Sequence, residues 1–168
     1  MPIDPPLDWI LYAKHATVYV AARSEEKAAA VINSIRDANS SSTGHLEFLK
    51  LDLAHLDSVS KTARSFLASA KSLDVLFNNA GVMHPPEGSV TKQGYELQLG
   101  VHNIGTVLFT ELLTPLLAPT AASYSAIGIE GCVRVLRISS LTAERSPTGG
   151  VDHSNMDYSK TDKRTYTK

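Results

Sequence analysis

The chain has 168 residues, 43% of them hydrophobic, and a formal net charge of −1 at pH 7. This length suits a single domain with a hydrophobic core, and the near-neutral charge argues against nucleic acid as a partner. The one cysteine, Cys132, excludes an internal disulfide, and no Cys/His cluster has the spacing of a zinc site. We therefore expect no metal and a reducing, cytoplasmic setting.

The N-terminal segment, residues 1–8, is acidic where a secretory signal would be positively charged. An apolar run follows over residues 9–13, and it is too short to span a bilayer. We expect a soluble, intracellular protein with no membrane span and an atypical N-terminal segment.

The first half of the chain alternates short β-rich runs with helical patterns, which is typical of a parallel sheet covered by helices. Residues 17–22 predict a strand buried on both faces, and Ser24 is placed to cap the helix that follows. Residues 39–44 predict a loop, and residues 46–51 predict a second strand that ends at Asp52. The predicted buried faces are Ala28, Val31, Ile32 and Ile35 in the first helix and, in a helix that begins near Asp57, Val59, Ala63, Phe66, Leu67 and Ala70.

The second half begins with a third strand, residues 74–77, and a loop over 83–88. A long helix is predicted over 94–117, with Pro119 and its neighbours ending it. A strand over 133–138 follows, and the last stretch, 152–168, is a polar tail with no core face. The predicted buried face of the long helix is Leu97, Val101, Ile104, Leu108 and Leu112.

The segment Asn78-Asn79-Ala80-Gly81 predicts a ligand-binding surface. Two side-chain amides and a small Ala-Gly pair follow an apolar strand, so the backbone can approach a flat ligand. Open α/β sheets bind their ligands at the carboxyl ends of their strands. The alternative is an ordinary turn, since Asn and Gly are common turn residues.

The order and spacing of several stretches resemble the short-chain dehydrogenase/reductase superfamily, and within it the retinol-dehydrogenase-like branch common among fungal enzymes. The stretches are Tyr19-Val20-Ala21-Ala22-Arg23-Ser24, Leu51-Asp52-Leu53, Asn78-Asn79-Ala80-Gly81-Val82-Met83, Gly94-Tyr95-Glu96-Leu97-Gln98, Thr106-Val107-Leu108-Phe109-Thr110 and Ile138-Ser139-Ser140. The resemblance implies an α/β fold, a partial Rossmann-type doubly wound parallel sheet in one incomplete domain over residues 1–168.

The resemblance implies that two polar side chains at strand ends hold the adenosine end of a cofactor. Asp52 matches the acid that contacts the adenine amino group, although it is also placed to cap the next helix. Arg23 lies where NAD-preferring members have an acid, and its guanidinium suits the 2′-phosphate of NADP. NADP is therefore expected in preference to NAD, the alternative being that Arg23 is an ordinary exposed arginine.

Further residues match the rest of the family's site. Asn78 and Ala80 match positions on the adenosine side of the cofactor, and Gly81 matches the nicotinamide ribose side. Ser140 matches the serine that hydrogen-bonds the carbonyl or alcohol oxygen of a small-molecule substrate. Without the resemblance, a Ser-Ser pair after a strand is typical of a turn.

Motifs that carry pyrophosphate binding and proton transfer in the family do not occur in the 168 residues. No glycine precedes Gly44, so the TGxxxGIG loop and the first strand before it are absent. Tyr158 is followed four places later by Asp162, so there is no Tyr-x-x-x-Lys pair. The resemblance implies a chain truncated at both ends that stops just before the catalytic tyrosine.

In the family's strand order, the missing first strand lies between residues 17–22 and 74–77. Three outcomes are open. The two strands pair directly, residues 7–13 fill the gap as a strand, or the chain is unstable alone, because each unpaired buried backbone group costs about 1–3 kcal/mol.

The long helix departs from the family at one further position. Many members have an asparagine three residues before a glycine, where it orders a water of the proton relay. Counting back from Gly105 gives His102, and the neighbouring Asn103 lies about 100° away around the helix. His102 either holds a water or, as we favour, is hydrogen-bonded packing on a buried helix face.

Two functional hypotheses follow. The first is an NADP-dependent oxidoreductase that acts on a ketone or secondary alcohol in a small-molecule biosynthetic route, with homo- or hetero-association through the 94–117 helix. The second is a catalytically inactive remnant of such an enzyme that binds a partner. A serine hydrolase is excluded because no G-x-S-x-G elbow surrounds Ser139 or Ser140. His84, His102 and His153 lack the partners of a metal site.

Overall fold

The computed structural model describes residues 6–140, 144 and 153–156. They form an α/β structure in two compact units, Met1–Asp52 and Leu53–Lys168. Residues 1–5 of the atypical N-terminal segment lie outside the described residues, as does the predicted polar tail apart from 153–156. The α/β class and the parallel strand pairing agree with the sequence prediction.

The sheet of the first unit pairs β1 (Thr17–Ala22) in parallel with β2 (His45–Lys50). Both strands are confirmed, although β2 begins and ends one residue earlier than predicted. The prediction that β1 is buried on both faces is wrong, since its residues are half-buried or exposed. The reason is the narrow sheet, which has two strands among the described residues and offers little surface for helices to cover.

Residues 7–13 form a helix, α1 (Leu7–Ala13), so the idea that they fill the gap as a strand is wrong. Tyr12 anchors this helix in the core, and the chain leaves it through His15, which has a positive φ of 66°. His15 is held there because its Nδ1 accepts a hydrogen bond from the Thr43 N–H at 3.1 Å.

Helix α2 (Glu25–Ala38) begins as predicted, with the Lys27 N–H donating to Ser24 Oγ at 3.3 Å. Ala28, Ile32 and Ile35 are buried, but Val31 is 44% exposed because it lies at the edge of the stripe that these three define. The core of the unit is Tyr12, Ile32, Ile35 and Leu46, with Trp9, Val18, Val20 and Phe48 packed against it.

The second unit contains α3 (Leu56–Ser69) and a parallel pair of strands, β3 (Val75–Asn78) and β4 (Arg134–Arg137). Helix α3 packs against a long helix, Leu97–Ser125, that precedes β4. The predicted face of α3 is confirmed for Val59, Ala63 and Phe66, which are buried, whereas Leu67 and Ala70 are half-buried.

The long helix ends at Ser125, beyond Pro115 and Pro119, so the prediction that proline ends it near residue 119 is wrong. Tertiary packing overrides the lost backbone bonds, since Leu117 on the near side of Pro119 and Thr120 on the far side are both buried. The Thr120 hydroxyl also donates to the Leu116 carbonyl at 2.7 Å and strengthens the turn that contains Pro119.

The predicted buried face of the long helix is displaced by one residue. Near its start the helix contains a π-helical turn, Gly100–Gly105, which accommodates one extra residue. The predicted positions after Val101 are only half-buried, while the positions one residue later are buried. The buried stripe is Val101, Gly105, Phe109, Leu113 and Leu117.

Among the described residues, the long helix alone is long and apolar enough to cross a membrane by length and composition. Its most apolar 18-residue window has a mean hydropathy of 1.3 and is 39% buried in the structure. Core helices of soluble proteins pass the same test, so this is weak evidence, and the absence of a membrane span stays a prediction.

Candidate functional site

In the first unit, the predicted cofactor residues follow neighbouring strands. Arg23 directly follows β1, and Asp52 lies two residues beyond β2. The strands are in parallel register up to Ala22 and Lys50, and the Leu51 N–H donates to the Ala22 carbonyl at 3.0 Å. Both side chains therefore emerge at the same carboxyl edge, Arg23 exposed to solvent and Asp52 half-buried.

In the second unit, Asn78 and Ser140 also lie at the carboxyl ends of neighbouring parallel strands, Asn78 as the last residue of β3 and Ser140 three residues after β4. Asn78 pairs with Arg137 in the register of β3 and β4, and the Ile138 N–H donates to the Asn78 carbonyl at 3.1 Å. Ser140 lies two residues beyond this last hydrogen bond and is exposed. The predicted substrate-orienting serine and the predicted binding surface thus share one sheet edge.

The residues after β3 form a short exposed segment, 79–81, which we call the floor loop. Its N-terminal side is tied to the long helix, because Asn78 Nδ2 donates to Thr110 Oγ1 at 3.1 Å. Its C-terminal side is tied to the same helix, because the Val82 N–H donates to His102 Nε2 at 2.8 Å. Hydrogen bonds to the long helix therefore hold the floor loop at both ends, while Asn79, Ala80 and Gly81 are exposed.

Gly81 lets the floor loop pack against the His102 ring without moving it. A Cβ atom at position 81 would lie 2.8 Å from His102 Nε2, closer than real Cβ contacts come, and 3.3 Å from its Cδ2, so the ring would have to shift. The sequence predicted a glycine that lets the backbone approach a ligand. The structure adds a second reason, which is that the imidazole of His102 occupies the space where a side chain would be.

His102 is hydrogen-bonded, as the sequence interpretation favoured, but the residue is exposed and not on a buried face. Its neighbour Asn103 lines a shallow apolar depression elsewhere on the helix surface, so the two side chains serve different surfaces, as predicted from the helix phase. The depression has a volume of about 450 Å³, and its other lining residues are Ile104, Val107, Leu108 and Glu111.

The π turn sets the position of His102 on the long helix. Gly100 lies against the Thr91 side chain and Gly105 against the Leu53 carbonyl oxygen, and both approaches are too close for a Cβ. The Thr106 hydroxyl donates to the carbonyls of His102 at 2.6 Å and of Asn103 at 3.1 Å. The sequence analysis missed the π turn, for which the pair Gly100 and Gly105 was the available signal.

Tyr124, a titratable residue with a perturbed pKa, lies away from these edges. The Tyr124 hydroxyl donates to Asp74 Oδ1 at 2.8 Å, and this hydrogen bond with the Asp74 charge raises the pKa of Tyr124. Asp74 precedes β3, at the opposite end of the strand from the floor loop. The described residues also contain no group of three or more His, Cys, Asp or Glu side chains that could hold a metal ion.

Comparison with known proteins identifies relatives of the chain. Residues 10–146 match the family model of the short chain dehydrogenases. A short-chain dehydrogenase/reductase of Phomopsis amygdali is 48% identical over 162 residues, covering 96% of this chain and 47% of that protein. A second, from Emericella nidulans, is 45% identical over 152 residues, covering 90% and 47%. The chain spans about half the length of these curated relatives.

Solved structures agree with this result. An uncharacterized protein from Mycobacterium paratuberculosis is 25% identical with a TM-score of 0.65, over 92% of this chain and 47% of that one. A metagenomic short-chain oxidoreductase in complex with NADP is 28% identical with a TM-score of 0.58, over 83% and 57%. The chain therefore belongs to the short-chain dehydrogenase/reductase family and has part of that family's Rossmann-type α/β fold.

Proposed function

We propose that this chain holds NADP in an oxidoreductase that acts on a ketone or secondary alcohol. The observation that carries the proposal is the position of the matched residues, which lie at or just beyond the carboxyl ends of parallel strands in each unit. This is the end at which open α/β sheets bind their ligands. Family membership supports a nicotinamide cofactor, and one of the similar solved structures is a complex with NADP.

Arg23 supports the preference for NADP over NAD. It is exposed, directly follows β1, and lies at the same sheet edge as Asp52. A guanidinium binds a phosphate through paired, charge-assisted hydrogen bonds, whereas it offers nothing comparable to the bare 2′-hydroxyl of NAD. Asp52 is proposed to accept a hydrogen bond from the adenine amino group.

The exposed backbone of Ala80 and Gly81 fits the flat part of a dinucleotide, since neither residue carries a side chain larger than methyl. When bound, the cofactor would supply the redox chemistry: in its reduced form a hydride for a ketone carbon, or in its oxidised form an acceptor for the hydride of a secondary alcohol. Ser140 donates a hydrogen bond to the substrate oxygen, where negative charge develops. The 168 residues contain no Tyr-x-x-x-Lys pair, so none of them is assigned the proton transfer.

We also propose that the chain associates with a second protein chain through the exposed surface of the long helix. Ile104, Val107 and Leu108 line the apolar depression there, and Val107 is 39% exposed. Sedimentation velocity of the chain with and without Val107→Lys tests this, because a charge in an apolar interface weakens association. A sedimentation coefficient that is the same for both proteins contradicts this part of the proposal.

Titration calorimetry with NADPH and NADH tests the cofactor assignment. We expect NADPH to bind in preference, and Arg23→Ala to weaken NADPH binding about 10-fold to 100-fold with little change for NADH, because a charge-assisted hydrogen bond contributes about 1.5–3 kcal/mol. Arg64→Ala, which removes an exposed arginine from α3, is the matched control. Equal affinities for the two cofactors contradict the assignment of Arg23, and a folded chain that binds neither supports the inactive alternative.

A further inference from the structure

We propose that His102 is a positioning residue that holds the floor loop only while its imidazole is neutral. The hydrogen bond from the Val82 N–H to His102 is observed in the structure. Its proposed effect on cofactor affinity rests on the function proposed above. An amide or hydroxyl acceptor at this position would be insensitive to acid, whereas an imidazole gains a proton.

The direction of the hydrogen bond sets the protonation state that it needs. The Val82 N–H is the donor, so His102 Nε2 must carry a lone pair and no proton. The neutral tautomer with its proton on Nδ1 meets this condition. An imidazolium is a donor at both ring nitrogens, so protonation replaces the hydrogen bond with two N–H groups that face each other. The bond is thus present at high pH and lost as the pH falls.

The two anchors of the floor loop respond differently to acid. The bond between Asn78 Nδ2 and Thr110 Oγ1 joins two groups that do not titrate, so it persists. Only the anchor at Val82 is lost, and Gly81 is the floor residue next to it. Acid should therefore loosen the Gly81 end of the floor loop, which is the proposed nicotinamide ribose side, and leave the Asn78 end in place.

His102 cannot simply follow the loop when the bond is lost. Gly105 lies against the Leu53 backbone, and the Thr106 hydroxyl holds the His102 carbonyl at 2.6 Å, so the π turn is fixed on its inner side. The imidazole also fills the space beneath Gly81. After protonation, either the exposed ring turns away from Val82 or the loop moves away from the ring, and the Val82 anchor is lost in both cases.

Other charged groups lie on the segments around His102 and must be distinguished from it. They are His84, Glu87, Lys92, Glu96, Glu111 and Arg137. His84 is the nearest of them to Val82 in sequence, and it is an exposed histidine. It therefore supplies the matched control.

The test follows the Val82 amide signal of the ¹⁵N-labelled chain by NMR between about pH 8 and pH 5, the range in which histidine gains its proton. We expect the Val82 amide proton shift to titrate with the same midpoint as the ring signals of His102. His102→Gln, whose Oε1 accepts at a similar reach without titrating, should give a flat Val82 profile. His84→Gln should leave the titration intact. A Val82 shift that does not titrate, or that follows His84, overturns the inference.

A second arm measures NADP⁺ affinity over the same pH range. The 2′-phosphate itself gains a proton in acid, and this effect is common to the wild type and to His102→Gln. We expect the wild type to lose about 3-fold to 10-fold more affinity than the variant, because one neutral hydrogen bond contributes about 0.5–1.5 kcal/mol. Identical profiles overturn the proposed effect on the cofactor. If neither protein binds NADP⁺ but Val82 titrates with His102, the proposed function fails and the inference on His102 stands.

Discussion

The carboxyl edge of the β1–β2 sheet and the floor loop after β3 present their candidate ligand residues in different ways. Arg23 and Asp52 emerge from strands whose parallel register alone brings them to one edge. The floor loop instead depends on side chains of a distant helix, Thr110 and His102, and on a π turn that sets the direction of His102. A site built from strand register tolerates local change, whereas a site supported by a helix fails when that helix shifts.

The largest expected effect comes from Gly105→Ala. A Gly-to-Ala change inside a helix ordinarily stabilises by about 0.5–1 kcal/mol. Here the new methyl group meets the Leu53 backbone oxygen, which cannot rotate away. We expect urea denaturation to show a loss of about 3 kcal/mol in the free energy of unfolding. Gly100→Ala meets the Thr91 side chain and not a backbone atom, so it should cost less. Equal stability of the Gly105 variant and the wild type contradicts the close packing of the π turn.

Gly81→Ala should have a smaller effect on stability and a direct one on the floor loop. Its methyl group displaces the imidazole of His102, so we expect about 1–2 kcal/mol of destabilisation and loss of the Val82 hydrogen bond. Chemical denaturation and the Val82 amide shift measure the two effects. In a His102→Ala background the same change should cost less, and full additivity of the two substitutions would show that the ring and Gly81 do not touch.

Thr110→Val removes the other anchor without changing the volume of the side chain. Asn78 Nδ2 then loses its acceptor, and we expect a loss of about 1 kcal/mol in the free energy of unfolding. Thr114→Val is the matched control, because its exposed hydroxyl donates only to the helix carbonyl of Thr110 at 3.2 Å. Both variants should be compared by thermal unfolding, and a control that costs as much as Thr110→Val would remove any special role for the Asn78 anchor.

The last expected effect is about as large as that of Thr110→Val and has the opposite sign. His55 occupies the N-cap of α3 without a capping hydrogen bond, and its Nε2 is buried 3.3 Å from Asp57 Oδ2 in a geometry that makes no hydrogen bond. His55→Ser should stabilise the chain by about 1 kcal/mol, because a serine side chain caps the free N–H groups. A raised midpoint in thermal unfolding with an unchanged Val82 amide shift is expected. A lowered midpoint would show that packing of the His55 imidazole stabilises the chain more than a serine cap does.

The sequence predicted what depends on local pattern. The strands, the Ser24 cap, the face of α3 and the order of polar residues at strand ends follow from alternation, capping chemistry and apolar spacing. The predicted sheet edges were found because parallel register carries neighbouring strand ends to the same side. The roles of Arg23, Asp52, Asn78, Ala80, Gly81 and Ser140 stay predictions.

What the sequence did not predict depends on contacts that are distant along the chain. A single extra residue in the π turn displaced the buried stripe from Ile104, Leu108 and Leu112 to Gly105, Phe109 and Leu113. The helix continues beyond Pro119 because the residues on either side of this proline are buried against the rest of the unit. Helix propensity, which is a local property, does not predict this. The link between Val82 and His102 joins residues 20 positions apart, and nothing in either local sequence indicates it.

The most direct test of the central claim is a titration of the ¹⁵N-labelled chain with NADP⁺. The account predicts that the amide signals of Arg23 and Asp52 and those of Ala80 and Gly81 shift along a single binding curve, while the signal of exposed Arg64 stays still. If the signals of Ala80 and Gly81 do not move while NADP⁺ binds, or if no signal moves in a folded chain, the assignment of these strand ends as a cofactor site is contradicted.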